Sequence, residues 1–114
     1  MNVVKSLTQD EMIQELINLL KMNNMGNMAN DLYEAAVNVD GLEKKLDHVM
    51  EELTMVKKQL ADIQEQSFIK DFKESMVNIL DKMENRCVEI KAQISEVKEQ
   101  MTDKAKEIVQ AVKQ

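Results

Sequence analysis

Residues 32–63 read LYEAAVNVDGLEKKLDHVMEELTMVKKQLADI. Within this stretch Leu32, Ala35, Val39, Leu42, Leu46, Val49, Leu53, Val56, Leu60 and Ile63 recur at alternating intervals of three and four, and every one is apolar. An α-helix makes a turn in about 3.6 residues, so this alternation draws one apolar seam along one face, the pattern of a coiled coil. The opposite face carries Lys44, Glu51, Lys58 and Glu65, as a solvated side should. Gly41 falls on the outer side, where it costs about 1 kcal/mol of helix propensity and breaks no packing. The helix is expected to run from about residue 27 to about 66.

Working toward the C-terminus, a second seam follows: Met76, Leu80, Met83, Cys87, Ile90, Ile94, Val97 and Met101, then a lapse at Lys104, then Ile108 and Ala111. It predicts a helix from about residue 68 to about 112. The seams are out of phase, because Ile63 and Met76 are 13 residues apart where two heptads need 14. The positions skipped are polar, Ser67 and Lys70. This reads as a tight reversal near Ser67, with Ser67 as a helix N-cap. Neither Gly nor Pro marks the turn, and one continuous helix through both seams is the alternative. A reversal there would set Leu32 beside Thr102 and Met25 beside Val109. The apolar face widens on both sides at that end, with Met25, Met28, Ala36 and Val37 facing Ala105, Val109 and Val112. A wider face is what a third helix needs.

Working toward the N-terminus, that helix is present. Thr8-Gln9-Asp10-Glu11 fits a capping box. Met12, Ile13, Leu16, Ile17 and Leu20 form a stripe at helical period, and Asn23-Asn24 with Gly26 supplies a stop. The helix is expected over about residues 8–23. The fold predicted is all-α, a single helical domain over 1–114: a long antiparallel coiled-coil hairpin with the short N-terminal helix packed at the termini end.

Composition agrees. Pro is absent, Gly occurs twice, aromatics make up 3% and charged residues 32%. Few turns can be built from that vocabulary, and sheet-based enzymes normally need more of them. Of a net charge of −6, residues 1–66 hold 12 acids and 6 bases, and residues 67–114 hold 9 of each. Direct nucleic-acid binding is not expected, because phosphates call for clustered Lys and Arg. A DNA-binding helix-turn-helix at the first two helices fails likewise, since residues 1–41 hold 6 acids and 2 bases. One Cys cannot close an internal disulfide, and neither it nor the single His has metal-ligand spacing. The most apolar run, Met12 to Met22, is too short and polar to span a bilayer. No signal-peptide pattern follows Met1, so the cytoplasm is the expected compartment.

Site chemistry is sparse. His48 is expected to be exposed and inert, and Cys87 to pack as a small hydrophobe in the seam. Pairs such as Glu51-Glu52 are common in an acidic chain, and there is no phosphate-cradling Gly loop and no Ser/His/Asp set. No catalytic residue, cofactor or metal is expected, and the chain does not read as an enzyme. The ten methionines stand out. Met is flexible and polarizable and is over-used on surfaces that adapt to partners. Met22, Met25 and Met28 recur around the first turn, and Met50 and Met55 lie off the seam. They form either a partner-binding face, with Glu51 and Glu52 beside it, or gap-filling in a narrow core. Off-seam Val77, Ile79 and Val88 add apolar area, so a homodimer or higher oligomer is expected, joined through the hairpin stems into four helices.

Two stretches resemble a family of small helical proteins of unknown function found in gut Firmicutes, often beside conjugative-element genes. One covers Ile13–Gln66, with IQELINLLKMNNMGNMANDLYEAA and VDGLEKKLDHVMEELTMVKKQL; the other covers Arg86–Lys113, with CVEIKAQISEVKEQMTDKAKEIVQAVK. The resemblance implies a bacterial cytoplasmic protein linked to mobile DNA and carries no catalytic residues. The function expected is a coiled-coil module that binds a protein partner, as an adaptor or assembly factor. The alternative is an acidic helical inhibitor that mimics nucleic acid toward a host-defence nuclease, of the anti-CRISPR or anti-restriction type, presenting carboxylates where phosphates would lie.

Overall fold

The computed structural model describes residues 6–63 and 67–113. A 3-10 turn, Leu7–Gln9, leads into three helices: α1 (Glu11–Met22), α2 (Gly26–Ala61) and α3 (Ser67–Lys113). No strand occurs among the described residues. The protein is all-α, and α2 and α3 form an antiparallel helical hairpin, not one continuous helix. Residues 64–66 and the Ser67 side chain, on which the expected N-cap depends, lie outside the described residues. The chain divides into two compact units, 1–43 with 93–114, and 44–92.

The first unit holds a three-helix core. Leu7, Ile13, Leu16 and Ile17 pack with Ala29 and Ala36 of α2 and Ala105 and Val109 of α3. Ile13 is wholly buried, which is worth about 1.5–3 kcal/mol. The three alanines let the helix backbones approach closely around the larger α1 side chains. Lys113 of α3 pairs with Glu15 of α1. The entry to α1 differs from the expected capping box. Asp10, not Thr8, is the N-cap, its Oδ1 accepting from the amides of Met12 at 2.9 Å and Ile13 at 3.0 Å. Thr8 is engaged elsewhere: its hydroxyl donates to Oδ2 of Asp40 at 3.1 Å.

The α1 stop is a Schellman motif. Asn24 adopts the left-handed conformation, with φ of 62°. The Met25 amide donates to Leu20 O at 2.8 Å and the Asn24 amide to Lys21 O at 3.3 Å. Asn24 supplies the positive φ, and Gly26 does not.

In the second unit the hairpin direction shows in its ion pairs. Lys57 of α2 meets Asp81 at 2.7 Å and Glu84 at 3.1 Å, and Asp47 meets Lys91 at 2.8 Å. A reversal centred on Ser67 would instead set Lys57 beside residue 77 and Asp47 beside residue 87. The observed register is offset by four to seven residues, one to two turns. The hydrogen bonds that Lys57 donates, to Asp81 first and then Glu84, raise its pKa above the ordinary lysine value. Among the described residues of this unit, Leu53 and Cys87 are the buried side chains, Cys87 as a free thiol.

Burial follows only half of each expected seam. In α2, Leu32, Val39, Leu46, Leu53 and Leu60 turn inward as expected. Ala35 is exposed, and Leu42, Val49, Val56 and Ile63 are 56%, 41%, 40% and 40% exposed. The neighbouring column, Ala36, Glu43, Met50 and Lys57, is covered in their place. In α3, Met76, Leu80, Cys87, Ile94 and Met101 turn inward, but Met83, Ile90, Val97 and Ile108 are exposed while Glu84, Lys98, Ala105 and Val109 are covered. The physical reason is that each helix is rotated about its axis. The rotation brings Ala36, Ala105 and Val109 onto α1 in the first unit. It brings Lys57 onto Asp81 and Glu84 in the second. The same rotation leaves much of the widened face open, with Met25, Met28, Val37 and Val112 exposed.

Gly41 sits inside α2 with ordinary helical φ, and no atom lies within 4 Å of where a Cβ would be. Gly41→Ala is therefore expected to stabilise the protein by about 0.5–1 kcal/mol, through lower entropy of the unfolded chain. A higher urea midpoint with an unchanged slope would show it.

Candidate functional site

The predicted site residues separate into the two units. Met22 and Met25 flank the α1 stop, and Met28 lies in the first turn of α2. All three are exposed, at 79%, 47% and 58%. The local cause is the Schellman turn, which places Met25 two residues past the cap of α1. Beside it opens a groove of about 410 Å³ lined by Leu16, Leu19, Leu20, Asn23, Met25, Ile108 and Val112. Six of these seven side chains are apolar, so the groove can take an apolar side chain from a partner helix and offers little to a charged ligand.

Met50, Met55, Glu51 and Glu52 lie on α2 in the second unit. Met50 is a correction: it is half-buried in the hairpin seam, one turn before Leu53, and not off the seam. Met55 is exposed, as are Glu51 and Glu52. Glu52 Oε1 lies 3.0 Å from Nε2 of His48, and both side chains face solvent. Glu51 and Glu52 thus belong to the second unit, and Met22, Met25 and Met28 to the first.

A family described as being of unknown function, DUF6674, matches residues 9–114. The chain belongs to the DUF6674 family. No curated protein and no solved structure matches it.

In this DUF6674 chain no group of three or more His, Cys, Asp or Glu is placed to hold a metal ion among the described residues. No helix among them is long and apolar enough to cross a membrane. No buried side-chain nitrogen or oxygen lacks a partner among them either. The buried charged groups are instead satisfied by named partners. Lys98 is 2% exposed, and its ammonium donates to Glu43 at 3.1 and 3.3 Å. Asp40 is 9% exposed and accepts from the Leu7 amide at 2.8 Å and the Thr8 amide at 3.1 Å.

Sequence reasoning missed Leu19 in the groove, and it missed both buried charges. Asp40 carried a signal: it follows Ala29 and Ala36 on one helical face, where a carboxylate must find donors or stay out of the core.

Proposed function

We propose that this DUF6674 protein is a non-enzymatic interaction module of the bacterial cytoplasm that docks a protein partner at the apolar groove beside Met25 in its first unit, with the exposed Met22 and Met28 as further contacts. The observation that carries this reading is a groove with almost wholly apolar walls that Met25 lines, in a unit where Met22 and Met28 are also exposed. Unbranched thioether side chains re-pack around differently shaped ligands at little cost. A partner presenting the apolar face of an amphipathic helix fits such a groove. The resemblance to proteins encoded beside conjugative elements supports an adaptor or assembly role within a mobile element.

The test is capture of the partner from the source bacterium, eluted across a salt gradient. Docking by apolar area is expected to survive high salt, because screening does not touch it. Met22→Ala and Met28→Ala are each expected to weaken capture by about 1–2 kcal/mol. Both side chains are exposed, so the melting temperature should stay within a few degrees of the parent. Loss of binding with rising salt, or on reversal of Glu51 and Glu52 to Lys, with the Met variants unaffected, would transfer the function to acidic mimicry.

A further inference from the structure

In the second unit, each helix of the hairpin has two sides flanking its buried leucine or cysteine column. On one side the helices are stitched by charge, Lys57 to Asp81 and Glu84, and Asp47 to Lys91. Helical periodicity places Val49 and Val56 of α2 and Met83 and Ile90 of α3 on the other side. These four are 40–47% exposed. In an antiparallel pair, residues turned the same way from the facing columns emerge on the same flank. Val49 therefore shares this flank with Ile90, and Val56 shares it with Met83.

We propose that this apolar flank is the seat of a second copy of the chain, which completes a four-helix bundle around a two-fold axis parallel to the helices. Two observations converge on that occupant. Each helix carries two adjacent apolar columns, one used within the hairpin and one unused, and a helix in a four-helix bundle needs both.

The second observation is charge. Glu52 lies one residue before Leu53 on α2, and Arg86 one residue before Cys87 on α3. They occupy equivalent places on the outer rim of the flank, at one level of the hairpin, and both are exposed. A two-fold axis along the bundle sets α2 beside the α3 of the second copy, so Glu52 faces its opposite charge twice. Stacking α2 on α2 at the same level would set Glu52 against Glu52 and Arg86 against Arg86. Arg86 is also the sole arginine of the chain, and a guanidinium is the cation that grips a carboxylate with two parallel hydrogen bonds.

Sedimentation equilibrium on the full chain at micromolar concentration tests this, with circular dichroism to follow folding. The parent is expected at twice 13.1 kDa. Val49→Asp with Ile90→Asp is expected at the monomer mass with its helical spectrum retained, since both side chains are already solvent-exposed. Val88→Asp, at a still more exposed apolar position off this flank, should leave the dimer intact. Glu52→Arg and Arg86→Glu should each weaken the dimer about tenfold or more, and the two together should restore it. A monomeric parent, or a dimer that survives the Val49 and Ile90 changes, would overturn the proposal. Failure of the charge swap to restore association would overturn the two-fold arrangement even if the aspartate variant does not fold.

Discussion

Glu43→Ala is expected to destabilise the protein by about 3–5 kcal/mol, although it removes an acidic side chain from an acidic protein. Net charge alone predicts the opposite, since the chain carries −6 and one acid fewer lowers self-repulsion. Local geometry decides. Lys98 is 2% exposed, and its ammonium is held by both Glu43 oxygens at 3.1 and 3.3 Å. Without Glu43, an ammonium stays in the core with no anion, or the helix rotates to release it and uncovers its neighbours. Lys98→Ala should cost less, because the Glu43 side chain is 21% exposed and retains access to water. Replacing the pair together, Glu43→Leu with Lys98→Met, is expected to recover most of the loss, since an apolar pair avoids desolvating two charges. Chemical denaturation of the two single variants and the double variant gives the coupling directly. Equal costs for the two single variants would show that Lys98 reaches solvent when unpaired.

The helices were legible in the sequence because their inward apolar columns repeat without interruption. Leu32, Leu46, Leu53 and Leu60 lie where a seven-residue repeat puts them, and three helices follow from the two out-of-phase seams and the α1 stripe. What could not be read was the rotation of each helix. Apolar residues flank the leucine column on the side that stays exposed, at Leu42, Val49 and Val56, and polar ones flank it on the side that is covered, at Glu43 and Lys57. Hydrophobic patterning chooses the wrong side there, because it has no means of crediting an ion pair between helices. The sequence offers 21 acids and 15 bases, and nothing local selects Glu43 for Lys98 or Lys57 for Asp81. Met50 was misplaced for the same reason, being off the apolar seam but on the covered one. Of the candidate site, Met22, Met25 and Met28 could be named from composition and spacing, but the groove beside Met25 depends on α3 residues more than 80 positions away.

Asp40→Ala is expected to cost about 3 kcal/mol and to act on the N-terminal turn before anything else. The Asp40 carboxylate is 9% exposed and satisfies three donors: the Leu7 amide at 2.8 Å, the Thr8 amide at 3.1 Å and the Thr8 hydroxyl at 3.1 Å. Hydrogen bonds to a charged acceptor contribute about 1.5–3 kcal/mol each, and a buried amide left unsatisfied costs about 1–3 kcal/mol. Their sum is an upper bound, because the freed turn can lift into water and recover part of it. Lifting the turn exposes Leu7, which is 1% exposed and belongs to the three-helix core. That loss of burial, about 1.5–3 kcal/mol for a leucine, keeps the recovery from being complete. Asp40→Asn should fare little better, since its amide group turns a donor toward donors. Thr8→Val removes one bond of the three and should cost about 1 kcal/mol. Amide hydrogen exchange distinguishes this local effect from a global one. Leu7 and Thr8 amides should lose protection by several orders of magnitude in Asp40→Ala, while the Met12 and Ile13 amides stay capped by Asp10 and lose only what global stability loses. Uniform loss of protection through α1 would instead mean that the turn and the helix open as one unit and that Asp40 holds both.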